Sequence, residues 1–221
     1  MKHLGKRGIW AVLALSGLLM VAGMAQAALI DIDNPGFETV SAAWIQTVYA
    51  GKYTTSVDGW SNSGSVGTFQ PTALNYNELL PEPQNVAWLG NGALQQTLAA
   101  TLQAGDYELT YYLGDRKYLA LSNYTVALVA GSTTLASSSQ LNPGDGKFAL
   151  GNLTYTADAA NALIGQPLAI KITSSGSGQA TFDYVQLDFT PATPMIIPIP
   201  PSFGLLASGL VGVLALARRR Q

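Results

Sequence analysis

An all-β fold, an antiparallel β-sandwich or jelly roll, is predicted by three features of the sequence. Apolar residues alternate with polar ones in short runs, Gly, Asn, Pro and Ser separate the runs, and segments of helical period are scarce. No strand–helix–strand alternation and no internal repeat is visible, which argues against a parallel α/β sheet or a solenoid. Two apolar ends flank this domain: an N-terminal signal peptide and a C-terminal single transmembrane helix.

The signal peptide is read over residues 1–27. Lys2, Lys6 and Arg7 open it, Ile9 to Ala22 is apolar, and Ala25-Gln26-Ala27 is a small-residue site for signal peptidase. Cleavage there makes Ala28 the first mature residue.

The exported domain is read over residues 28–190. In "YELTYYL" Tyr107, Leu109, Tyr111 and Leu113 face one way while Glu108, Thr110 and Tyr112 face the other. "YTVALVA", "PLAIKIT" and "DYVQLDF" alternate similarly, and "NPGDGK" and "SSGSGQ" mark turns between strands. "DAANALIG", from Asp158 to Gly165, suits one short turn or helix. "LLPEPQ", with Pro81-Glu82-Pro83, reads as a loop, since no apolar span follows it.

Residues 191–201 form a Pro-rich linker with Pro194, Pro198, Pro200 and Pro201, extended backbone that joins neither helix nor ladder. Residues 202–221 follow as the transmembrane segment. Ser202 to Ala217 is uncharged and apolar all round, and Arg218, Arg219 and Arg220 hold its end in the cytoplasm.

This order of parts resembles the bacterial PEP-CTERM proteins, whose Pro motif, weak span and Arg cluster make them substrates of exosortase. Here the motif reads Pro198-Ile199-Pro200, lacking the central Glu and similar to Val-Pro-Leu-Pro variants. The resemblance implies an exosortase-type sorting enzyme as partner, an inner-membrane intermediate, and a final place at the cell surface or outside it. Within the domain, "DIDNPGFE" and "ATFDYVQLDF" resemble the opening and closing strands of galactose-binding-like jelly rolls, and "LQQTLAATLQAGDYELTYYLGDR" and "GQPLAIKI" resemble their interior strands.

Composition excludes much chemistry. Residues 28–190 carry 5 basic and 13 acidic residues, a net −8, which argues against nucleic acid as a partner. The chain has no Cys, and its one His, His3, lies in the signal peptide. Disulfides, Ser-His-Asp and Cys-His nucleophiles and His or Cys zinc sites are therefore excluded from the mature domain.

Three sets of candidates remain. The jelly-roll resemblance places a structural Ca²⁺ at Glu38 and Asp183; carboxylates are hard oxygen ligands suited to it, and bonds to backbone amides are the alternative. Among Trp44, Trp60, Trp88, Tyr111, Tyr112 and Tyr118, the better candidates for the surface, where rings stack on sugars, are Tyr112, phased opposite the apolar face, and Tyr118, beside "GDRK"; most of the others read as core or rim, Trp88 within "NVAWLG". Asp106, Glu108 and Asp115 cluster around one strand, as a glycosidase pair or as a solvated face. The sequons at Asn123 and Asn152 carry little weight in a bacterial protein.

The resulting expectation is a non-enzymatic surface or matrix protein, with no catalytic residues and an association with extracellular polysaccharide. A carbohydrate-binding module and a small carboxylate glycosidase are its alternatives.

Overall fold

The computed structural model describes residues 26–47 and 51–192. The expectations at Ala25, Pro198, Pro200, Pro201, Arg218, Arg219 and Arg220, with the signal peptide and transmembrane segment, lie outside the described residues. Ala27 is exposed directly ahead of the first strand. Among the described residues no helix is long and apolar enough to cross a membrane.

All regular structure among these residues is antiparallel strand. In chain order the strands are β1 (Ala28–Ile30), β2 (Ile45–Gln46), β3 (Lys52–Tyr53), β4 (Ser61–Gln70), β5 (Val86–Thr101), β6 (Gly105–Asp115), β7 (Asn123–Ala130), β8 (Thr133–Ser138), β9 (Lys147–Ala157), β10 (Pro167–Ser175) and β11 (Ala180–Pro191). "DAANALIG" forms turns, and "LLPEPQ" lies in the long connection between β4 and β5.

Two branches of one hydrogen-bonded sheet make the sandwich. The first runs β2-β3-β4-β5-β10-β7-β8; in the second, β11 pairs with β1, β5 and β6, and β6 pairs with β9. β5 belongs to both. Its start, Ala87 to Leu89, pairs with β11, whereas Gly92 to Thr101 pairs with β10. The jelly-roll expectation therefore holds at the level of an all-β antiparallel sandwich.

Period-two alternation puts one side of each branch into the core. Ile30, Leu187, Leu109 and Leu153 lie in register across β1, β11, β6 and β9. Facing them are Leu94, Val126, Leu128, Ile170 and Ile172 of the other branch, in one continuous buried cluster. Leu109 is fully buried at the centre of its row. Leu109→Ala is expected to cost about 2–5 kcal/mol, because the neighbouring strands cannot collapse into the void; urea unfolding measures it.

Candidate active site

The other face of the β4-β5-β11-β6-β9 branch carries the site. Gly67, Trp88, Thr181, Gly114 and Phe148 lie in register across it. The next row holds Phe69 opposite Val86, and Asp183 opposite Tyr112.

Gly67 makes room for an aromatic wall. A Cβ there would stand 1.9 Å from the Thr54 carbonyl oxygen and 2.7 Å from Trp88 Nε1. Without it, the indole reaches over Gly67 and its N–H donates to Thr54 O at 3.1 Å. Tyr53 meets the Trp88 ring edge-on, centroids 5.8 Å apart.

Arg116 closes the opposite side. It follows the end of β6, three strands from Phe69, yet its guanidinium carbon lies 4.4 Å from the Phe69 ring centroid. On a flat sheet three spacings would be roughly 14 Å. Two long side chains reaching toward each other span that separation, and they meet above the intervening strands to bound a hollow on this face. Thr47, Tyr53, Phe69, Trp88, Arg116 and Gln179 line a cavity of about 210 Å³ on it. Arg116 also borders a second cavity of about 520 Å³, with Leu74, Asn75 and Tyr118 among its walls.

The β4–β5 connection is a strap over this face. Asn75 O accepts from Lys117 N at 3.0 Å, and Asn77 N donates to Gly146 O at 2.7 Å, so the strap is tied to the β6–β7 and β8–β9 loops. Tyr76 points inward and shares a 2.8 Å hydrogen bond with Thr181 Oγ1. Burial pushes the Tyr76 hydroxyl well above the usual tyrosine range, which keeps it neutral.

Asp183 lies beneath the strap and is fully buried. Glu82 N donates to its Oδ2 at 2.9 Å and Tyr184 N to its Oδ1 at 2.8 Å. Tyr184 has a φ of 49° next to a shift of register between Asp183 and Gln186, which turns its N–H onto the carboxylate. Burial disfavours the charged form and pushes the Asp183 pKa up to about 7; the charges of Glu82 and Glu38 act the same way, against the two amides.

A raised carboxyl pKa has a definite sign for stability. Between about pH 4 and pH 7 the folded chain holds a proton on Asp183 that the unfolded chain has released, so stability falls as pH rises through that window. The full difference is on the order of 4 kcal/mol. Denaturation at pH 4.5 and 7.5 is expected to show a larger drop for wild type than for Asp183→Asn.

Glu38 approaches the strap from the other side. Its Oε1 accepts from Gln84 N at 2.9 Å and Asn85 N at 3.0 Å, and its Oε2 from Asn85 Nδ2 at 2.6 Å. The pair proposed for calcium thus converges on residues 82–85, with amide donors on both carboxylates. Among the described residues no group of three or more His, Cys, Asp or Glu is placed to hold a metal. Melting in EDTA against millimolar Ca²⁺ decides the matter: a calcium-dependent rise supports a site, and coincident curves remove it.

The other aromatic candidates scatter. Trp60 packs in the core against Phe37, centroids 5.7 Å apart, and Tyr111 is buried. Trp44 carries Lys52 Nζ at 4.5 Å. Tyr112 is half-buried, edge-on to Tyr184, and Tyr118 is 92% exposed at the rim of the larger cavity. Asp106 and Glu108 lie on the outer face of β6, bonded to Thr156 and Asn152. Trp88 is among the aromatic candidates in the sequence but reads there as core or rim, and Arg116 carries no sequence signal of a site; apolar runs on doubly covered strands hide which face a ring takes.

Residues 28–188 match the model of the HpiC1-like family, described as HpiC1 cyclase. The chain belongs to the HpiC1-like family. Among solved structures, an apo cyclase from Fischerella sp. is 27% identical, with a TM-score of 0.66 over 75% of this chain and 98% of that one. The Stig cyclase Fisc from Fischerella sp. TAU, in complex with (3Z)-3-(1-methyl-2-pyrrolidinylidene)-3H-indole, is 27% identical, TM-score 0.66, over 76% and 100%. A cyclase from the same source in complex with 4-(1H-Indol-3-yl)butan-2-one is 27% identical, TM-score 0.64, over 75% and 100%. A comparison with curated proteins finds no match.

Membership of the HpiC1-like family overturns the expectation of a non-enzymatic, polysaccharide-associated surface protein. The family and its solved members are cyclases, so this is an enzyme family. The same finding displaces the carbohydrate-module and glycosidase alternatives, with the PEP-CTERM, membrane and exopolysaccharide description of function. The physical reason for the error is that the same alternating strands and turn residues build binding modules and enzymes alike, and no local motif in this chain separates the two.

Proposed function

We propose that this HpiC1-like chain is a cyclase that closes a ring on a flat, electron-rich aromatic substrate of the indole class, with Asp183 as proton donor. The observation that carries the reading is a fully buried carboxyl, its pKa raised to about 7, that lies under the strap on the same sheet face as the cavity lined by Trp88, Tyr53 and Phe69, one row from the Trp88–Thr181 pair. A proton donor at neutral pH must still hold its proton there, and an ordinary aspartate has lost it.

In this mechanism the aromatic substrate lies against Trp88 and Tyr53. The strap lifts Glu82 N from Asp183, and the carboxyl protonates a basic atom of the substrate. An internal carbon–carbon π bond attacks the resulting cation and forms the ring bond. The carboxylate then takes back the proton lost as the π system is restored. No atoms are gained or lost, so product and substrate are isomers. Tyr76, neutral and hydrogen-bonded to Thr181, shields the step from water.

Incubation with 3-substituted indoles bearing an alkene, followed by liquid chromatography and mass spectrometry, tests the reading. The expected product has unchanged mass and new retention, and its rate falls as pH rises past about 7. Absence of any isomer, together with no calorimetric binding of 4-(1H-indol-3-yl)butan-2-one, overturns it.

The proposal extends to place. β1 begins at Ala28, directly after the Ala25-Gln26-Ala27 site, which supports removal of residues 1–27 before the domain folds outside the cytoplasm. Mass spectrometry of the protein from its native host is expected to find Ala28 at the N-terminus; Met1 there overturns export by this route.

A further inference from the structure

We propose that the substrate carries a carboxylate and that Arg116 binds it; this deepens the cyclase reading above and rests on it. Arg116 is half-buried, and among the described residues its guanidinium makes one hydrogen bond, a 3.4 Å contact from Nη1 to Gln179 Oε1. Among the described residues no carboxylate pairs with it, in a domain with 13 acidic residues and 5 basic ones. The Phe69 ring covers one face of the guanidinium and fixes its plane. Burial lowers its pKa, which is the mark of a cation held from water without a counter-charge.

Such a cation costs stability, and a ligand anion removes that cost. The guanidinium is a planar fork of donors that matches a carboxylate with two parallel hydrogen bonds. Its position fits a ligand, because it stands where the aromatic cavity of about 210 Å³ meets the larger one of about 520 Å³. A molecule with its ring on Trp88 therefore places a side-chain acid at Arg116. Lys117, also on the wall of the larger cavity, adds to the positive field there.

Tyr76 links the two ends of the site. Its hydroxyl is bonded to Thr181, two residues from Asp183 on β11, and it feels the charges of both Arg116 and Asp183. One substrate spanning this face engages both ends.

Calorimetry with two isosteric indoles tests the proposal: the neutral 4-(1H-indol-3-yl)butan-2-one and the anionic 3-(1H-indol-3-yl)propanoic acid, in which a carboxylate oxygen replaces the methyl group. The acid is expected to bind wild type about 10- to 100-fold more tightly, as a charge-assisted hydrogen bond would give. Arg116→Gln is expected to abolish that preference while still binding the ketone, which also shows that the variant is folded; Arg116→Lys restores part of it. Equal binding of acid and ketone to wild type overturns the carboxylate and leaves the cyclase reading standing. A preference that survives in Arg116→Gln overturns the assignment to Arg116. Binding of neither compound overturns the carboxylate assignment, and together with the absence of any isomer product it overturns the cyclase reading as well.

Discussion

Asp183→Asn is expected to lower the rate of ring closure by about 10²- to 10⁴-fold, the usual contribution of a positioned general acid. The substitution keeps shape and volume, and the new side chain still accepts a hydrogen bond from Glu82 N or Tyr184 N. What it lacks is an acidic proton. Binding of the indole ketone should therefore stay within a few-fold of wild type, so that the loss falls on kcat and not on KM. The variant should also be at least as stable as wild type at pH 7.5, because no charge remains to be buried. A variant that retains full kcat removes Asp183 from the chemistry.

Gly67→Ala is expected to be the most damaging single-methyl change on this face. Its Cβ would meet the Thr54 carbonyl oxygen at 1.9 Å, and that oxygen is backbone, so β4 and the Thr54 segment must part. Thr54 N donates to Thr68 O at 2.8 Å and Trp88 Nε1 donates to Thr54 O at 3.1 Å, and both bonds go with the displacement. Trp88 then loses the position against which a substrate ring would stack. The expected result is at least a tenfold weaker affinity for the indole ketone, with a cost of about 1–3 kcal/mol in urea unfolding from overpacking. Trp88→Ala should lose the affinity without that overpacking, which separates the ring from the strain. Unchanged affinity in both variants would mean that the ligand does not lie on Trp88.

The contrast between fold and site in the sequence has a physical origin. Alternation in "YELTYYL" places Tyr107, Leu109, Tyr111 and Leu113 in the core because that strand has one dry face and one wetter one. At Ala180 to Asp183 both faces of β11 are covered, so alternation loses its meaning. The cover over Asp183 is a loop 101 residues away in sequence, donating from Glu82. "LLPEPQ" was readable as a loop, yet nothing local says that it lies on a carboxyl. Glu38 and Asp183 were picked by resemblance to opening and closing motifs, and both do converge on residues 82–85. Trp88 was read as part of an apolar run, and only the absent side chain of Gly67, on a neighbouring strand, decides where its ring goes.

One strand sets the order in which all this can come into being. β11 is the last strand, and β1, β5 and β6 all depend on it for a hydrogen-bonded edge. While the chain is still being made, those edges have no partner, and the carboxyl that is to be buried has not been synthesised. Closing such distant pairs is slow and leaves strand edges open meanwhile. A nascent or C-terminally shortened chain therefore contains no partial catalyst: the Trp88 wall has no floor at Thr181, Tyr76 has no partner, and no proton is held. On the proposed mechanism the site is complete only once the final dozen residues of the domain, those of β11, are in place.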